Sequence, residues 1–367
     1  MVQLLLSLVA LSCLGAGLAF LLEVADSYLG FYGESKIDIN KGEKELEVQG
    51  GGTLLSTLME QGIFIPSACG GRGSCGYCKV KVKEGGGPLL PTETPWLEPE
   101  EIKDQVRISC QIKVRENMDI EIPPELFLIR EYRSRVESLR DLTDEIKELR
   151  VRLLDSEPIS FKAGQYIQFQ VPEYEECPES VYRAYSIASP AYEPDAISLV
   201  VTKVPGGLAT TYVHEVLKVG DEVTFNGPYG EFFLRDSDRE IIFVATGSGL
   251  APIMSILYQM AQEKNQRKAT LVFGDRHKKD LFYVEEIGAL KQQIPRLDVI
   301  FTLSRSEEGD GWKGERGRVT NVLDKIIKDG ENKEAYLCGN PAMVESCMEL
   351  LTKKGISEEL IFFDKFG

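Results

Sequence analysis

Cys69-Gly-Gly-Arg-Gly-Ser-Cys75-Gly-Tyr-Cys78 brings three thiols into one short loop, and a fourth, Cys110, stands far downstream. Three thiolates from one wrapped loop and one from a distant turn form the arrangement that holds a [2Fe–2S] cluster. Glycines fill the gaps because the backbone must approach the cluster and turn N–H groups toward its sulfides. The first gap holds five residues, one more than the plant-type spacing, and the second keeps its two. A structural zinc site is the competing arrangement. Zinc draws on short pairs on both sides, whereas Cys110 has no near partner. Cys13, Cys177 and Cys347 read as buried or indifferent thiols, and no pairing suggests an oxidised, secreted protein. Cys69, Cys75, Cys78 and Cys110 are therefore the predicted metal ligands.

Working outward, residues 34–125 read as a small α+β domain. Lys36-Ile-Asp-Ile-Asn and Leu46-Glu-Val predict a hairpin, and Thr53 is placed to N-cap a helix through Glu60. Lys79-Val-Lys-Val-Lys alternates as a strand does. Pro88 to Asp104 predicts a loop with a short helix, and Arg107-Ile-Ser-Cys110-Gln-Ile-Lys-Val predicts a turn leading into a strand.

The remaining 367-residue chain has room for two further domains. Over residues 130–235, short alternating runs such as Tyr166-Ile-Gln-Phe-Gln-Val are punctuated by Gly and Pro, which predicts an antiparallel β-barrel. Residues 238–367 switch to strand–helix alternation, the pattern of an α/β doubly wound parallel sheet. In front of all three, residues 1–22 carry no charged side chain. Leu4 to Leu22 would make roughly 28 Å of helix, close to a bilayer core of roughly 30 Å. Residues 1–25 are therefore predicted as a transmembrane anchor rather than a cleaved signal peptide, which would want a basic n-region. Lys/Arg bias does not orient this helix. The net charge of -16 excludes nucleic acid as a partner, since no basic stripe exists to meet phosphates.

Two stretches of the barrel suit a flavin. In Arg183-Ala-Tyr185-Ser186, an arginine can hold a diphosphate, a tyrosine can flank the isoalloxazine, and a serine hydroxyl can sit near N5. In Gly207-Leu-Ala-Thr210-Thr211, a glycine turn opening a helix presents free N–H groups, with hydroxyls added. Each is weak alone: the first could be a surface strand, the second a capped helix. The last domain opens with Thr246-Gly247-Ser-Gly249-Leu-Ala-Pro252, a phosphate-cradling turn with a proline in the first turn of its helix. It lacks the third glycine of the full dinucleotide fingerprint. Tyr336-Leu-Cys338-Gly339-Asn340-Pro341 puts a cysteine at a strand's carboxyl end, by the crevice where a nicotinamide would lie, although a buried cysteine ending a strand reads equally well there.

Taken together, residues 140–367 resemble the ferredoxin–NADP reductase superfamily. With the cluster domain and the apolar run in front, the chain resembles the family of F subunits of sodium-translocating NADH:quinone reductases. Cys69 to Cys78, Arg107-Ile-Ser-Cys110-Gln, Arg183-Ala-Tyr185-Ser186, Gly227-Pro-Tyr-Gly-Glu-Phe-Phe233, Leu281-Phe-Tyr283-Val-Glu285-Glu and Phe363-Asp364-Lys-Phe366-Gly367 carry that resemblance. It implies a ferredoxin-like cluster domain, an FAD barrel and an NAD domain. It implies hydride transfer from NADH to FAD and single-electron transfer through the cluster to membrane subunits of a respiratory complex. It places the chain at the inner membrane, single-pass, with its soluble domains facing the cytoplasm. FAD would be bound by Arg183, Tyr185, Ser186, Gly207, Thr210 and Thr211, with Phe366 near the ring. The nicotinamide nucleotide would be bound by Gly247, Gly249, Pro252 and Gly339. Ser186 and Cys338 would flank the reacting atoms. The reductase component of a multicomponent oxygenase shares these modules without an anchor, and a non-catalytic scaffold would have kept the fold and lost the chemistry. NADH is expected over NADPH: Ser304-Arg305 could meet a 2′-phosphate, as could the basic cluster Arg276, His277, Lys278 and Lys279 unless that turn is simply solvated, but Glu307 and Glu308 would repel a phosphate.

Overall fold

Lys36-Ile-Asp-Ile-Asn owes its strand to alternation: Ile37 and Ile39 are fully buried while Lys36 and Asp38 face outward. A computed structural model of the chain describes Gly15, Gly17 and residues 32–365 other than 156, 307, 308 and 310. Apart from the two glycines, the apolar run Leu4 to Leu22 lies outside the described residues, as do Phe366, Glu307 and Glu308. Among the described residues no helix is long and apolar enough to cross a membrane.

The chain forms two compact units, Met1–Ile129 and Arg130–Gly367. In the first, β1 (Glu34–Ile39) and β2 (Lys44–Gln49) make the expected antiparallel hairpin. They join β3 (Lys79–Glu84), β4 (Val106–Ile108) and β5 (Met118–Glu121) in a sheet of order β2-β1-β5-β3-β4. Helix α1 (Leu54–Glu60) is N-capped by Thr53, whose hydroxyl accepts from the Ser56 N–H at 3.1 Å. A 3-10 turn, Thr94–Trp96, and α2 (Pro99–Lys103) fill the acidic loop.

The stretch around Cys110 departs from expectation. The strand precedes the turn, as β4, and residues 109–114 do not form a second one. Their carbonyls are used elsewhere: Ser109 and Ile112 accept from the N–H groups of Leu55 and Leu54, the otherwise unpaired start of α1.

The second unit holds both remaining sheets. Six antiparallel strands, β6 (Arg130–Asp141), β7 (Ile146–Leu153), β8 (Tyr166–Val171), β9 (Val181–Ser186), β10 (Ala196–Thr202) and β11 (Glu222–Tyr229), run in the order β10-β7-β6-β11-β8-β9. An Ile187–Leu199 bridge draws the two edges together, so the sheet curls as a barrel does. After the short helix α3 (Leu208–Thr211) and β11 comes a parallel sheet, β15-β14-β13-β12-β16-β17. Its strands are β12 (Glu240–Thr246), β13 (Ala269–Asp275), β14 (Leu297–Leu303), β15 (Glu315–Arg316), β16 (Lys333–Gly339) and β17 (Ile361–Lys365). Helices α4 (Leu250–Gln262), α5 (Val284–Gln293), α6 (Val319–Ile326) and α7 (Pro341–Lys353) cover its faces.

Barrel and parallel sheet share a core. Ile146, Ala163, Ala188, Val200 and Phe232 pack with Phe243, Leu250, Met254 and Tyr336, and the Ser255 hydroxyl donates to the Ser189 carbonyl at 2.7 Å. The expected boundary near residue 235 thus separates two folds inside one packed body.

Candidate functional site

The four cysteines arrive as two pairs. In the loop, Gly70, Gly71, Gly73 and Gly76 all adopt positive φ, the conformation that lets the backbone coil tightly around its centre. Coiling brings the Cys69 and Cys75 sulfurs to 3.4 Å. Cys78, which ends the loop, and Cys110, on the turn after β4, form the second hydrogen-bonded pair, with the Ser109 N–H donating to the Cys78 carbonyl at 2.8 Å. The hydrogen bond from Cys75 holds the Cys69 thiol down to about 4, while that same bond pushes Cys75 up. Likewise Cys78 holds Cys110 down to about 7 and is itself pushed up. Among the described residues no three His, Cys, Asp or Glu gather around a single ion. Two cysteine pairs fit a cluster of two irons, each taking two cysteines as thiolates. Cys177 and Cys347 lie buried elsewhere, as indifferent thiols should.

One buried ion pair steers the Cys110 arm. Glu93 is fully buried and meets Arg107 of β4 with both carboxylate oxygens, at 3.0 and 2.6 Å. Glu93 also accepts from the Leu90 and Ile108 amides, and Arg107 donates to the carbonyls of Gly86, Gly87 and Pro88. The sequence showed Arg107 only as part of a motif. Its partner lies in the stretch Pro88 to Asp104, expected only as a loop with a short helix.

The predicted flavin residues divide by what their side chains are doing. Arg183 and Tyr185 are two apart on β9 and share a face, opposite Phe169 and Ile167 of β8. The Arg183 guanidinium donates to the Tyr182 carbonyl at 2.7 Å, and the Tyr185 ring stands edge-on to Phe169. Ser186 is buried at the strand's end, and its hydroxyl has no partner. A buried hydroxyl without a partner costs free energy unless a ligand completes it, so Ser186 fits a group bound beside β9. The Thr210 hydroxyl closes its own turn instead, bridging Val204 and Gly207, and Gly207 N-caps α3.

The nucleotide motifs meet at the switch point. Strand β12 lies between β13 and β16, and chain order reverses there, which opens a crevice at the carboxyl ends. Gly247 turns at φ +53 with open space where a Cβ would be, as a phosphate-cradling residue should. Gly249 serves packing: a Cβ there would sit 2.3 Å from the Cys338 carbonyl oxygen. Pro252 is buried in the first turn of α4 and faces protein. At Gly339 a Cβ would sit 2.4 Å from Thr246 Oγ1, so this glycine lets β12 and β16 end side by side. Cys338 is fully buried, and burial pushes its thiol well up, so it stays a neutral thiol at the end of β16. Thr246, quoted within the turn but not predicted as a site residue, has a buried hydroxyl without a partner at the crevice. Two further clefts, one lined by Asp144, Lys147 and His214 and one by Glu148, Tyr192 and Tyr258, share no residue with these motifs.

A family model of 2Fe-2S iron-sulfur cluster binding domains matches residues 37–115, one of oxidoreductase FAD-binding domains matches 133–234, and one of oxidoreductase NAD-binding domains matches 243–349. A Neisseria meningitidis protein, named as the F subunit of Na(+)-translocating NADH-quinone reductase, is 36% identical across 100% of both chains. The chain belongs to this family of F subunits. The Idiomarina loihiensis protein of the same name is 38% identical over 94% of each chain. Among solved structures, an Amycolatopsis cytochrome P450 reductase superposes with a TM-score of 0.73 at 25% identity, covering 90% of this chain and 98% of that one. The ferredoxin reductase of carbazole 1,9a-dioxygenase reaches 0.69 at 24% identity over 91% and 98%, a likeness of fold. As an F subunit, the chain is an NADH-oxidising reductase with FAD and a [2Fe–2S] cluster, part of a membrane complex with other subunits.

The unpartnered hydroxyl gives a two-sided test. Ser186→Ala is expected to leave the flavin-free protein at least as stable, since it deletes no hydrogen bond. In the holoenzyme it should slow flavin reduction by NADH about tenfold or more, the scale of one lost hydrogen bond to developing charge. Stopped-flow bleaching at an unchanged rate would mean that the hydroxyl faces away from the flavin.

Proposed function

We propose that this chain is the NADH-entry subunit of a sodium-translocating quinone reductase, held in the membrane by one helix over residues 4–22 with its soluble domains on the cytoplasmic side. One observation carries this: cluster, FAD and NAD domains in this order, on a chain that named F subunits match from end to end. Bound FAD would supply the conversion of a two-electron hydride donor into single electrons for the cluster. The chain's residues do the rest. Arg183 would neutralise the FAD diphosphate, Tyr185 would flank the ring, and the Ser186 hydroxyl would donate at the edge of the ring system. Gly207, Thr210 and Thr211 would support the flavin from the turn before β11. The Gly247 turn, with Thr246 beside it, would take the nucleotide diphosphate on backbone N–H and hydroxyl. Cys338 and Gly339 would shape the wall on which the nicotinamide rests, and Phe366 would cover the ring. A single uncharged helix provides no path for an ion, so translocation falls to the partner subunits.

The three-module likeness to oxygenase reductases favours a second acceptor, an oxygenase. Removing residues 1–25 separates the two. The truncated protein should be soluble, retain FAD and the cluster, and pass electrons from NADH to ferricyanide, but no longer reduce quinone with its membrane partners. Unchanged quinone reduction without residues 1–25 would remove the anchor from the proposal. Failure of the intact chain to copurify with any integral membrane protein would favour the oxygenase acceptor.

A further inference from the structure

We propose that Asp275 selects NADH over NADPH, its carboxylate accepting from a ribose hydroxyl of the adenosine half and repelling a phosphate in that hydroxyl's place. The inference rests on the proposed location of the nucleotide at the Gly247 turn. Asp275 is the last residue of β13, the strand beside β12. In register, Gly274 stands opposite Thr246, which puts Asp275 next to Gly247 at the mouth of the crevice. Ligands of open parallel sheets lie across these carboxyl ends, and an acid there is placed to meet ribose hydroxyls.

The side chain is set for such a ligand. Oδ1 accepts from the Arg276 N–H at 2.9 Å, while Oδ2 is buried and has no partner. An ionised carboxylate offers about four lone-pair sites, and leaving a whole oxygen dry and unbonded is costly. Burial pushes this carboxyl up to about 6, with the Arg276 and Gly247 amides pulling it down and the Asp280 charge adding to the rise. It is therefore charged at neutral pH, with Oδ2 short of a hydrogen-bond partner. The ribose of NADH brings hydroxyl donors, whereas NADPH carries a phosphate at one of those positions.

The nearby basic groups do not reverse this. The Ser304 N–H donates to the Asp275 carbonyl at 2.9 Å, and the Arg305 N–H donates to the Arg276 carbonyl at 2.9 Å. Ser304-Arg305, the pair that would greet a 2′-phosphate, is thus hydrogen-bonded alongside the acid. A 2′-phosphate drawn to these paired strand ends would lie near the Asp275 carboxylate. Like-charge juxtaposition of this kind is how a site rejects a near-identical ligand.

The experiment measures kcat/KM for NADH and NADPH on the full-length holoprotein with ferricyanide as acceptor. Asp275→Asn keeps the shape and removes the charge. It should lower the NADH-to-NADPH ratio about tenfold or more, with NADPH gaining, while FAD and cluster content stay unchanged. On the unsubstituted protein, ADP should inhibit NADH oxidation competitively and 2′,5′-ADP about tenfold more weakly or less well still. An unchanged ratio in Asp275→Asn, or equal inhibition by the two nucleotides, overturns the inference. Gly247→Val separates this from failure of the site itself. If it raises the KM for NADH while Asp275→Asn leaves the ratio alone, only the role of Asp275 falls. If it leaves that KM unchanged, the nucleotide binds elsewhere and both fall.

Discussion

Cys110→Ala is expected to abolish the EPR signal of the reduced cluster while FAD stays bound and NADH still bleaches it. The pairing of sulfurs explains why one distant residue decides the whole cluster. Cys69 and Cys75 lie together at 3.4 Å in the loop, but Cys78 finds its partner only across the turn after β4. Without Cys110, one iron keeps a single thiolate, which does not hold a two-iron cluster. FAD should be indifferent, because the flavin motifs belong to the other compact unit, Arg130–Gly367. A normal signal in Cys110→Ala protein would remove this residue from the ligand set. Simultaneous loss of FAD would show that the two units do not fold apart.

How far the sequence reached depended on whether the deciding interaction was local. The hairpin of β1 and β2, the Thr53 cap and the alternation of β3 are written in consecutive residues, and the structure has all three. The cysteine set stood out because thiols are rare and their spacing is stiff, and the structure brings its members together as two pairs. The strand at Cys110 was misplaced because its carbonyls are taken by α1, a contact made some fifty residues away in sequence. Packing across the boundary near residue 235 is likewise non-local: Phe232 and Ala163, within residues 130–235, pack against β12 and α4. Within the site, glycines were visible but their purposes were not. Gly247 and Gly249 look alike in a motif, and only geometry shows open space at one and the Cys338 carbonyl at the other. Thr246 and Asp275 carried no signal in residue type. What marks them is a buried oxygen without a partner, which no pattern of letters reveals.

Glu93→Ala is expected to destabilise the cluster unit by about 3–5 kcal/mol, the cost of leaving one member of a buried ion pair alone. The Arg107 side chain is only 9% exposed, and all five of its N–H donors are engaged, two by Glu93 and three by the carbonyls of Gly86, Gly87 and Pro88. Removing the carboxylate strands a guanidinium that cannot deprotonate, frees the Leu90 and Ile108 amides, and loosens the strand that carries Cys110. Cluster loss on heating should therefore come earlier, while the flavin unit melts as before. The pH dependence follows from the same pair. Burial pushes the Glu93 carboxyl up, but Arg107 and the two amides outweigh it and hold it below its ordinary value. A carboxyl lowered in the folded state contributes stability that is complete above its unfolded value of roughly 4.3 and is lost as pH falls through the lower folded value. Unfolding of the cluster unit, followed by urea titration at a series of acidic pH values, should show this loss in the native protein and a flatter profile in Glu93→Ala. A double replacement, Glu93→Leu with Arg107→Met, should recover part of the stability, because two apolar groups leave no charge stranded. If the single and double variants unfold alike, the pair acts only through its shape, and the cluster arm is held by something other than its charge.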